Sequence, residues 1–325
     1  MRLALHPESL QFMRLRYCLG TLFNNQLHYN AIMHVSLFTQ KYPPKSHKFY
    51  DLVNAQVAAA LAEDIGTGDL TAALIKADSR AHATIVSREN AVICGQDWVN
   101  ACFAHLDKNV QIKWHVNEGE KIHADQVLCD ISGNACALLS AERCALNFLQ
   151  TLSAVATHTQ QYVLAVIGTK AQILDTRKTL PGLRLAQKYA VTIGGGINQR
   201  LALYDGILIK ENHIAAAGGI AAALQQAISP NPNVNIQIEV ENLDELQQTL
   251  SAGATSILLD NFSISEMREA VKINQKSNHG KALLEASGNV SLSTVRDIAE
   301  TGVDRISIGA LTKNIRAIDL SMRIK

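Results

Sequence analysis

The sequence has almost no excess of charge of either sign and no long hydrophobic run. Its 30 basic and 29 acidic residues leave a formal net charge of +1, so no overall field would draw nucleic acid or a membrane surface to the protein. The longest apolar stretches are of strand length or amphipathic, which excludes a transmembrane helix. We therefore expect no nucleic-acid partner and no membrane, and any anion must be bound by a local cluster of cations.

Cysteine is sparse and is not arranged in pairs. None of the six cysteines forms a C-x-x-C motif, in a chain of 325 residues with 47% apolar and 18% charged residues. This usage is typical of reduced, mostly buried thiols in a cytoplasmic protein, and not of a disulfide framework or a zinc site. Length and composition indicate an ordinary globular protein of one or two domains.

Residues 1–45 differ in composition from the rest of the chain. They contain three arginines and a single acidic residue, namely Arg2, Arg14, Arg16 and Glu8. Pro7 interrupts the apolar core that a secretory signal would need. One interpretation is a transit peptide for an organelle. The other, which we favour, is an extension that is disordered or that follows from a start codon placed too far upstream, with Met33 as the true start.

Residues 46–145 are expected to form an N-terminal α/β domain. Apolar residues at helical spacing predict a helix over about residues 49–63, and a turn-rich loop follows it. Residues 81–95 and 110–132 alternate between apolar and polar positions as strands do, with a turn at Gly119.

A long helix is expected next, over about residues 138–166. It should begin near Ser140, with Glu142 in its first turn, and end at Gly168. The last residues of the chain, 312–325, look helical and are expected to pack back on the N-terminal domain.

Residues 146–311 are expected to form an α/β barrel that contains the active site. From about residue 171, six short apolar runs each end in polar residues and are followed by an amphipathic helical stretch. The runs end at or near Asp175, Lys210, Glu239, Asp260, Glu285 and Ser307. Buried strands that alternate with helices form a parallel sheet, and in a barrel the C-terminal strand ends face one pocket. The polar ends should therefore converge.

Cations follow several of these predicted strands. Arg177 and Lys178 come directly after one strand, and Lys210 ends another. Arg200 follows three glycines at 194–196, which would let the backbone approach a ligand closely. Such cations suit an anionic substrate, and a buried lysine can also form a Schiff base. The alternatives are that Arg177 and Lys178 lie in a solvated loop, that the glycines form only a flexible turn, and that Lys210 is an ordinary surface lysine.

Carboxylates and glycine-containing loops complete the predicted pocket. Glu239 and Asp260 could hold Mg²⁺ or ribose hydroxyls, although a helix cap or an ion pair would also explain them. Glu241 shares a face with Glu239 by strand periodicity, so the spacing alone does not choose between them. The loops at Ser287-Gly288-Asn289 and Ser307 to Ala310, including Gly309, precede helices and are typical of phosphate sites.

Five strings of residues carry a resemblance to a known family. They are ERCALN at 142–147, DTRKTLPGLR at 175–184, LIKENH at 208–213, LLDN at 258–261 and EASGN at 285–289. In this order they resemble the carboxylating nicotinate-nucleotide pyrophosphorylases, also called quinolinate phosphoribosyltransferases. The resemblance runs from about residue 50 to the end of the chain.

The resemblance implies a fold and a reaction. The fold is an α/β sandwich-like N-terminal domain followed by an open or incomplete TIM-like α/β barrel. The reaction joins quinolinate to the phosphoribosyl group of phosphoribosyl pyrophosphate, with Mg²⁺, and yields nicotinate mononucleotide, pyrophosphate and CO₂ for NAD synthesis. The family also implies a homodimer, or a higher even oligomer, with shared active sites.

Roles for individual residues follow from the same resemblance. Arg143 would enter the neighbouring subunit's site. The substrates would be bound by Thr176, Arg177, Lys178, Arg200, Lys210, Glu239 and Asp260, and the last two would also hold Mg²⁺ directly or through ribose or water. Phosphate would be bound by Ser287, Gly288, Asn289, Ser307, Gly309 and Ala310.

Two positions depart from the family pattern. Gln199 stands where the family usually has histidine, and Cys144 stands where threonine is usual. Glutamine donates a hydrogen bond but cannot become cationic, so carboxylate binding or its pH dependence could differ.

Three alternative functions remain open: transfer to another pyridine carboxylate such as nicotinate, a Schiff-base aldolase that uses Lys210, and a non-catalytic relative.

Overall fold

The computed structural model describes residues 37–230, 234–277 and 281–324. Its N-terminal part contains four helical segments and a 3₁₀ turn: α1 (Leu37–Lys41), α2 (His47–Ile65), the turn Ala72–Leu74, α3 (Gln96–Leu106) and α4 (Ala135–Ala165). Its strands are β1 (Arg80–Ser87), β2 (Ala91–Val92), β3 (Gln111–Trp114), β4 (Lys121–Ile122), β5 (Val127–Asn134) and, from the end of the chain, β12 (Leu320–Ile324). They form an antiparallel sheet in the order β12-β1-β5-β3, and β2 pairs with β4.

Helix α2 confirms the helix predicted near residues 49–63. Ser46 caps its N-terminus by accepting a hydrogen bond from the backbone N–H of Phe49 at 3.2 Å. The stripe of Phe49, Val53, Val57 and Leu61, spaced four residues apart, is buried. Gly66 ends the helix with a φ of 51°.

Helix α4 begins earlier than expected. The prediction placed its start near Ser140, but Asn134 is the N-cap and accepts a hydrogen bond from the backbone N–H of Ala137 at 3.0 Å. The cap directly follows strand β5, so the chain turns from strand to helix without a loop. The helix has 31 residues and runs through residue 145, where the domain boundary was expected.

Along the described part of the chain, no helix has both the length and the apolar character that crossing a bilayer requires.

The C-terminal part is a parallel sheet covered by helices. Its strands are β6 (Gln172–Leu174), β7 (Ile207–Ile209), β8 (Ile236–Val240), β9 (Ser256–Asp260), β10 (Leu283–Ser287) and β11 (Arg305–Ser307). Its helices are α5 (Arg184–Ile193), α6 (Glu211–Ala217), α7 (Ile220–Ile228), α8 (Leu243–Ser251), α9 (Ile264–Gln275), α10 (Val295–Ala299) and α11 (Ala310–Lys313). All six apolar runs are confirmed as strands.

The barrel is open. The six strands are ordered β6-β11-β10-β9-β8-β7, so β6 and β7 are edges, and among the described residues no strand ladder joins them. Instead, Ile197 makes an isolated parallel bridge to Leu174 of β6. The expectation of an open or incomplete barrel is confirmed.

The two faces of the sheet have different chemistry. The face under the helices is apolar, and Ile238, Ile257 and Ala286 on it are fully buried. The opposite face carries polar side chains, including Glu239 and Glu285, which are also buried. Because buried polar groups need partners, the inside of the barrel must contain a hydrogen-bonded network.

The helix predicted over 312–325 is wrong after Lys313, because Leu320–Ile324 form a strand. Strand β12 pairs antiparallel with β1, with Met322 opposite Ile85. The other edge of β1 is paired with β5, so β12 satisfies backbone groups that would otherwise line an open edge. Ile318 and Leu320, two residues apart, are both buried. The expected packing against the N-terminal region is confirmed, although in strand form.

The expectation of a disordered extension is wrong for residues 37–45. They include helix α1, and Phe38 in this helix is fully buried. Its ring lies 5.7 Å from the ring of Tyr189 on α5 and 6.4 Å from that of Phe49, measured between centroids. Residues 1–36, with Met33 and the transit-peptide interpretation, lie outside the described residues.

Candidate active site

The predicted site residues of the barrel lie along one edge of the parallel sheet. In the strand register, Ser287 is beside Asp260, Ser307 is beside Leu174, and Ile209, which precedes Lys210, is beside Ile238. We call this edge the rim. It comprises residues 175–178, Lys210, Glu239, Asp260, 287–289 and 307–310.

The loop after β6 is fitted closely against the loop after β11. The backbone N–H of Lys178 donates to Thr176 Oγ1 at 3.0 Å, and Thr312 Oγ1 donates to the Lys178 carbonyl at 2.8 Å. A Cβ at Gly309 would lie 3.0 Å from Lys178 Cδ and 3.6 Å from Thr176 Oγ1. Gly309 therefore lets the two loops approach, and it brings the predicted phosphate loop beside Lys178.

Arg200 lies near a second cation. One of its terminal nitrogens, Nη1, donates to the Gly206 carbonyl at 3.0 Å. Burial lowers the pKa of Arg200, the charge of Arg177 lowers it further, and Asp205 opposes this. A cavity of about 490 Å³ also adjoins Arg200, but it is lined by β7 and the two helices that follow it and by none of the rim residues. Two neighbouring guanidinium groups of like charge are suited to a bound anion.

Lys210 and Glu239 form an ion pair across β7 and β8. The Lys210 ammonium lies 2.8 Å from Oε1 and 2.7 Å from Oε2 of Glu239. The lysine side chain is 44% exposed, whereas the glutamate is 10% exposed. Glu241, which strand periodicity left as an equal candidate, is exposed, and its backbone N–H donates to Glu245 at 2.9 Å. Burial and pairing therefore single out Glu239.

Asp260 is held by a turn in which backbone conformation is constrained. Asn261 Nδ2 donates to Asp260 Oδ2 at 2.9 Å, and the Asn261 backbone N–H donates to the Ser287 carbonyl at 2.9 Å. Gly288 has a φ of 101°, and a Cβ there would lie 2.1 Å from Asn261 Oδ1. Asn289 also has a positive φ, of 48°. A side chain at position 288 would therefore separate the loops after β9 and β10.

A buried ion pair under the rim was not predicted. Lys188 on α5 contacts Asp175, and both side chains are 0% exposed. Asp175 also accepts hydrogen bonds from Asn198 Nδ2 at 2.6 Å and from the Gln199 backbone N–H at 2.9 Å. Burial raises the pKa of Asp175, and Lys188 is the strongest opposing influence. The pair anchors the strand end from which Thr176 and Arg177 project.

A second unpredicted feature is a chain of hydrogen bonds inside the barrel. Glu285 Oε2 accepts from Gln237 Nε2 at 2.9 Å, and Gln237 Oε1 accepts from Gln199 Nε2 at 2.6 Å. Gln199 Oε1 in turn accepts from the backbone N–H of Arg200 at 2.6 Å. Burial raises the pKa of Glu285, and the bond from Gln237 opposes this. Gln199 thus orients the backbone of Arg200.

Little in the sequence could have revealed these two features. Gln237 in β8 and Glu285 in β10 are polar residues with apolar neighbours in their strands. This pattern was the available sign that the two side chains face the inside of the barrel. Lys188 stands in a mixed helical stretch where a solvated lysine is the ordinary expectation.

Arg143 lies apart from the elements that form the rim. It is on α4, and its side chain is exposed to solvent. The adjoining Cys144 is buried, and its Sγ lies 3.4 Å from the Ala60 carbonyl, so the departure at this position is accommodated in the packing between α4 and α2. The rim residues, in contrast, all come from β6 to β11 and the loops that follow these strands.

Two family models match the chain in succession. The model of the quinolinate phosphoribosyl transferase N-terminal domain matches residues 69–153, and that of the C-terminal domain matches residues 155–323. The boundary between the two matches falls inside α4.

Individual relatives match over most of their length. A probable carboxylating nicotinate-nucleotide pyrophosphorylase from Bacillus subtilis is 40% identical over 263 residues, which cover 81% of this chain and 90% of the relative. A mitochondrial, decarboxylating quinolinate phosphoribosyltransferase 2b from Nicotiana tabacum is 38% identical over 302 residues, covering 86% and 84%. The solved structure of the nicotinate-nucleotide pyrophosphorylase from Francisella tularensis is 47% identical with a TM-score of 0.81, covering 85% of this chain and 97% of that one.

Proposed function

Because the chain belongs to the quinolinate phosphoribosyltransferase family, we propose that the rim of its open barrel holds quinolinate and phosphoribosyl pyrophosphate side by side. The chain is an enzyme, a pentosyltransferase. It transfers the phosphoribosyl group to quinolinate with decarboxylation and yields nicotinate mononucleotide, pyrophosphate and CO₂ in NAD biosynthesis. The observation that carries the assignment of the site is the strand register, which places the residues that end or follow β6, β7, β9 and β10, among them Arg177, Lys210 and Asp260, at one edge of the sheet.

The rim, together with Arg200, has enough cations for two polyanions. Arg177 and Arg200, with Lys178 nearby, bind the two carboxylates of quinolinate, because a guanidinium can hold a carboxylate through two parallel hydrogen bonds. Lys210, kept in place by Glu239, faces the 5′-phosphate or pyrophosphate. The loops 287–289 and 307–310 offer backbone N–H groups and the hydroxyls of Ser287 and Ser307 to phosphate oxygens.

The chemical step depends on positioning more than on proton transfer. The ring nitrogen of quinolinate attacks the anomeric carbon as the bond to pyrophosphate breaks, and positive charge develops on the ribose ring. The rim cations stabilise the departing pyrophosphate and hold together two anions that repel each other in solution. The product ring is cationic, so the electrons left by CO₂ at C2 are stabilised, and a proton from water completes the product.

The two carboxylates of the rim have different roles. Both oxygens of Glu239 contact the Lys210 ammonium, so Glu239 suits ribose hydroxyls better than a metal ion. Asp260 is partly exposed and is the carboxylate that would hold Mg²⁺, together with phosphate oxygens of the substrate. When bound, Mg²⁺ would neutralise charge on the leaving pyrophosphate. Among the described residues no cluster of three or more metal-ligating side chains occurs, which fits a metal carried largely by substrate.

The alternative chemistries fit the rim less well. A Schiff base would need a free amine, whereas Lys210 is paired with Glu239. A nicotinate acceptor would present one carboxylate to three nearby cations. The solved structure of human nicotinic acid phosphoribosyltransferase is 15% identical with a TM-score of 0.58, a likeness of fold alone.

The purified full-length protein is expected to form nicotinate mononucleotide and CO₂ from quinolinate, phosphoribosyl pyrophosphate and Mg²⁺. Mass spectrometry measures the nucleotide, with nicotinate as a parallel substrate and EDTA as a parallel condition. We expect product with quinolinate alone, and none with EDTA. Product from nicotinate but not quinolinate would overturn the assignment of the substrate.

The active enzyme is a homodimer in which Arg143 of one subunit reaches the other subunit's rim. Arg143 is exposed, and the neighbouring loop presents Leu70 and Leu74, which are 88% and 85% exposed. Ser140 on α4 donates to Asp69 at 2.7 Å, which ties this loop to the helix that carries Arg143. Exposed leucines on a loop tied to the helix of Arg143 form a surface suited to a second copy of the chain.

Mixing two inactive variants tests the shared site. Arg143→Ala and Arg177→Ala should each lose activity. If Arg143 acts in trans, hybrid dimers have one intact site, so an equal mixture that is unfolded and refolded together should recover about a quarter of wild-type activity. Each variant refolded alone is the control. No recovery by hybrids, shown to exist by native mass spectrometry, would mean that Arg143 acts within its own subunit.

The cysteines suit a reducing compartment. In the described part of the chain, Cys94, Cys102, Cys129 and Cys144 are buried free thiols and Cys136 is a half-buried one. Burial raises the pKa of Cys129 to about 12 and that of Cys144 to about 11, which keeps them as unreactive thiols. These thiols support the proposal that the enzyme acts in the cytoplasm.

A further inference from the structure

Helix α1 contacts the segment that carries Arg200. We call residues 198–206 the Arg200 loop. It lies at the opening of the barrel, between the edge strands β6 and β7. The first residues of the loop are bonded to Asp175 and Lys188, whereas the middle of the loop is irregular. There the backbone N–H groups of Leu201 and Ala202 both donate to Asp205 at 2.7 Å.

The first contact is at the start of the loop. The backbone N–H of Phe38 donates to Asn198 Oδ1 at 3.3 Å. Asn198 Nδ2 donates to Asp175 Oδ2 at 2.6 Å and to the Lys188 carbonyl at 2.9 Å. The amide of Asn198 can face Asp175 with its nitrogen only while its oxygen faces the opposite way, towards α1. Helix α1 therefore supports the orientation in which Asn198 joins the loop to the strand end before Arg177.

The second contact is near the end of the loop. The Lys41 ammonium lies 3.7 Å from the centre of the Tyr204 ring, which is a cation–π geometry. Tyr204 is 62% exposed and Lys41 is also exposed, so packing alone does not hold them together. The aromatic anchor of α1 is Phe38, which is fully buried among Tyr42, Phe49 and Tyr189.

We propose that helix α1 is a positioning element that holds the Arg200 loop in the geometry that binds the dicarboxylate substrate. The need for such an element follows from charge. Arg177 and Arg200 repel each other when no anion is bound, and an irregular loop at an open barrel edge has few ladder bonds to resist this. Contacts at both ends of the loop resist it without touching the substrate. The proposal rests on the assignment of Arg200 to quinolinate binding.

Full-length variants that loosen either contact test the proposal. Lys41→Gln removes the cation–π contact at the surface, and Tyr204→Leu removes it together with the hydrogen bond between Tyr204 and Tyr42; each should raise KM for quinolinate, roughly two- to five-fold. The double variant should be no worse than Tyr204→Leu alone, because Tyr204→Leu already removes the interaction that Lys41→Gln removes. Phe38→Ala should raise this KM further, by about tenfold. KM for phosphoribosyl pyrophosphate and kcat should stay near wild type.

A matched control and a second readout separate this role from general stability. Lys48→Gln changes an exposed lysine in α2, next to α1, and should leave both KM values unchanged. Hydrogen exchange at the amides of Leu201 and Ala202 should become faster in Lys41→Gln and Phe38→Ala but not in Lys48→Gln.

The outcomes are distinguishable. Unchanged exchange and unchanged KM in all three α1-contact variants overturn the proposal. Equal increases in KM for both substrates, with normal exchange in the loop, would assign α1 a merely structural role and also overturn it. If the wild-type protein does not turn over quinolinate, the proposed function fails, and the exchange rates still decide whether α1 holds the loop.

Discussion

Arg177→Ala is expected to lower kcat/KM for quinolinate by about a hundred- to a thousand-fold while the protein stays folded. Arg177 is half-buried at the rim, directly after strand β6, and its charge already influences Arg200. Removal of a guanidinium that pairs with a desolvated carboxylate typically costs about 2–5 kcal/mol. Steady-state kinetics with quinolinate as the varied substrate measure the loss, and circular dichroism checks the fold.

Two further variants sharpen the result for Arg177. Arg177→Lys keeps the charge but loses the planar fork, so activity should be intermediate, about tenfold below wild type. Arg268→Ala, on the exposed side of α9, is the matched control and should behave as wild type. Near wild-type kinetics for Arg177→Ala would remove Arg177 from the site. Equal losses for the lysine and alanine variants would show that the fork matters and the charge does not.

Lys188→Met is expected to lower the free energy of unfolding by about 3–5 kcal/mol, because it leaves the buried Asp175 carboxylate without its cation. Both side chains of this pair are 0% exposed, so water cannot replace the missing partner. A loss of this size is a large fraction of the stability of an ordinary protein, which is about 5–15 kcal/mol. Urea unfolding followed by fluorescence or circular dichroism measures it.

The double variant Asp175→Asn/Lys188→Met provides the internal control. It removes both charges, so much of the lost stability should return, while the introduced amide would still have the Asn198 and Gln199 groups nearby. Lys272→Met breaks an exposed pair with Glu269 at 3.3 Å and should cost less than about 1 kcal/mol. If Lys188→Met is as mild as Lys272→Met, the buried pair is not an anchor of the strand end.

For the Asp175–Lys188 pair, enzyme activity measures how well the pair positions the loop after β6, whereas the unfolding midpoint measures its contribution to folding. Arg177 and Thr176 project from the strand end that Asp175 stabilises, so the double variant tests positioning separately from folding. We expect it to remain folded but to lose activity, because an uncharged pair orients the loop less firmly. The comparison uses KM for quinolinate and the unfolding midpoint of the same preparation.

Local patterns in the sequence were sufficient for the elements that depend on short-range spacing. The stripe from Phe49 to Leu61 predicted α2, and six apolar runs with polar ends predicted the parallel strands. If these runs form parallel strands, Arg177, Lys210 and Asp260 are expected to converge on one rim, because parallel strands share a C-terminal edge. The long motifs then indicated the family, which the comparisons bear out.

Features set by pairing between distant residues could not be predicted in this way. The C-terminal residues became a strand because β1 offered an unpaired edge, and a run as short as 320–324 fits either periodicity. Helix α4 starts earlier than predicted because Asn134, and not a residue near Ser140, caps it. Both errors concern residues whose local preference is weak, so the tertiary partner decided the outcome.

The family, the order of the polar strand ends and the chemical character of the rim can all be read from the residues along the chain. The folded protein alone shows that Glu239 and not Glu241 pairs with Lys210, that Lys188 pairs with Asp175, and that Gln199 is bonded to Gln237. It also shows the docking of α1, in which Phe38 contacts Asn198, 160 residues further along the chain. The physical reason is that burial and hydrogen-bond partners depend on packing between distant segments, whereas strand-end chemistry depends on neighbours in the chain.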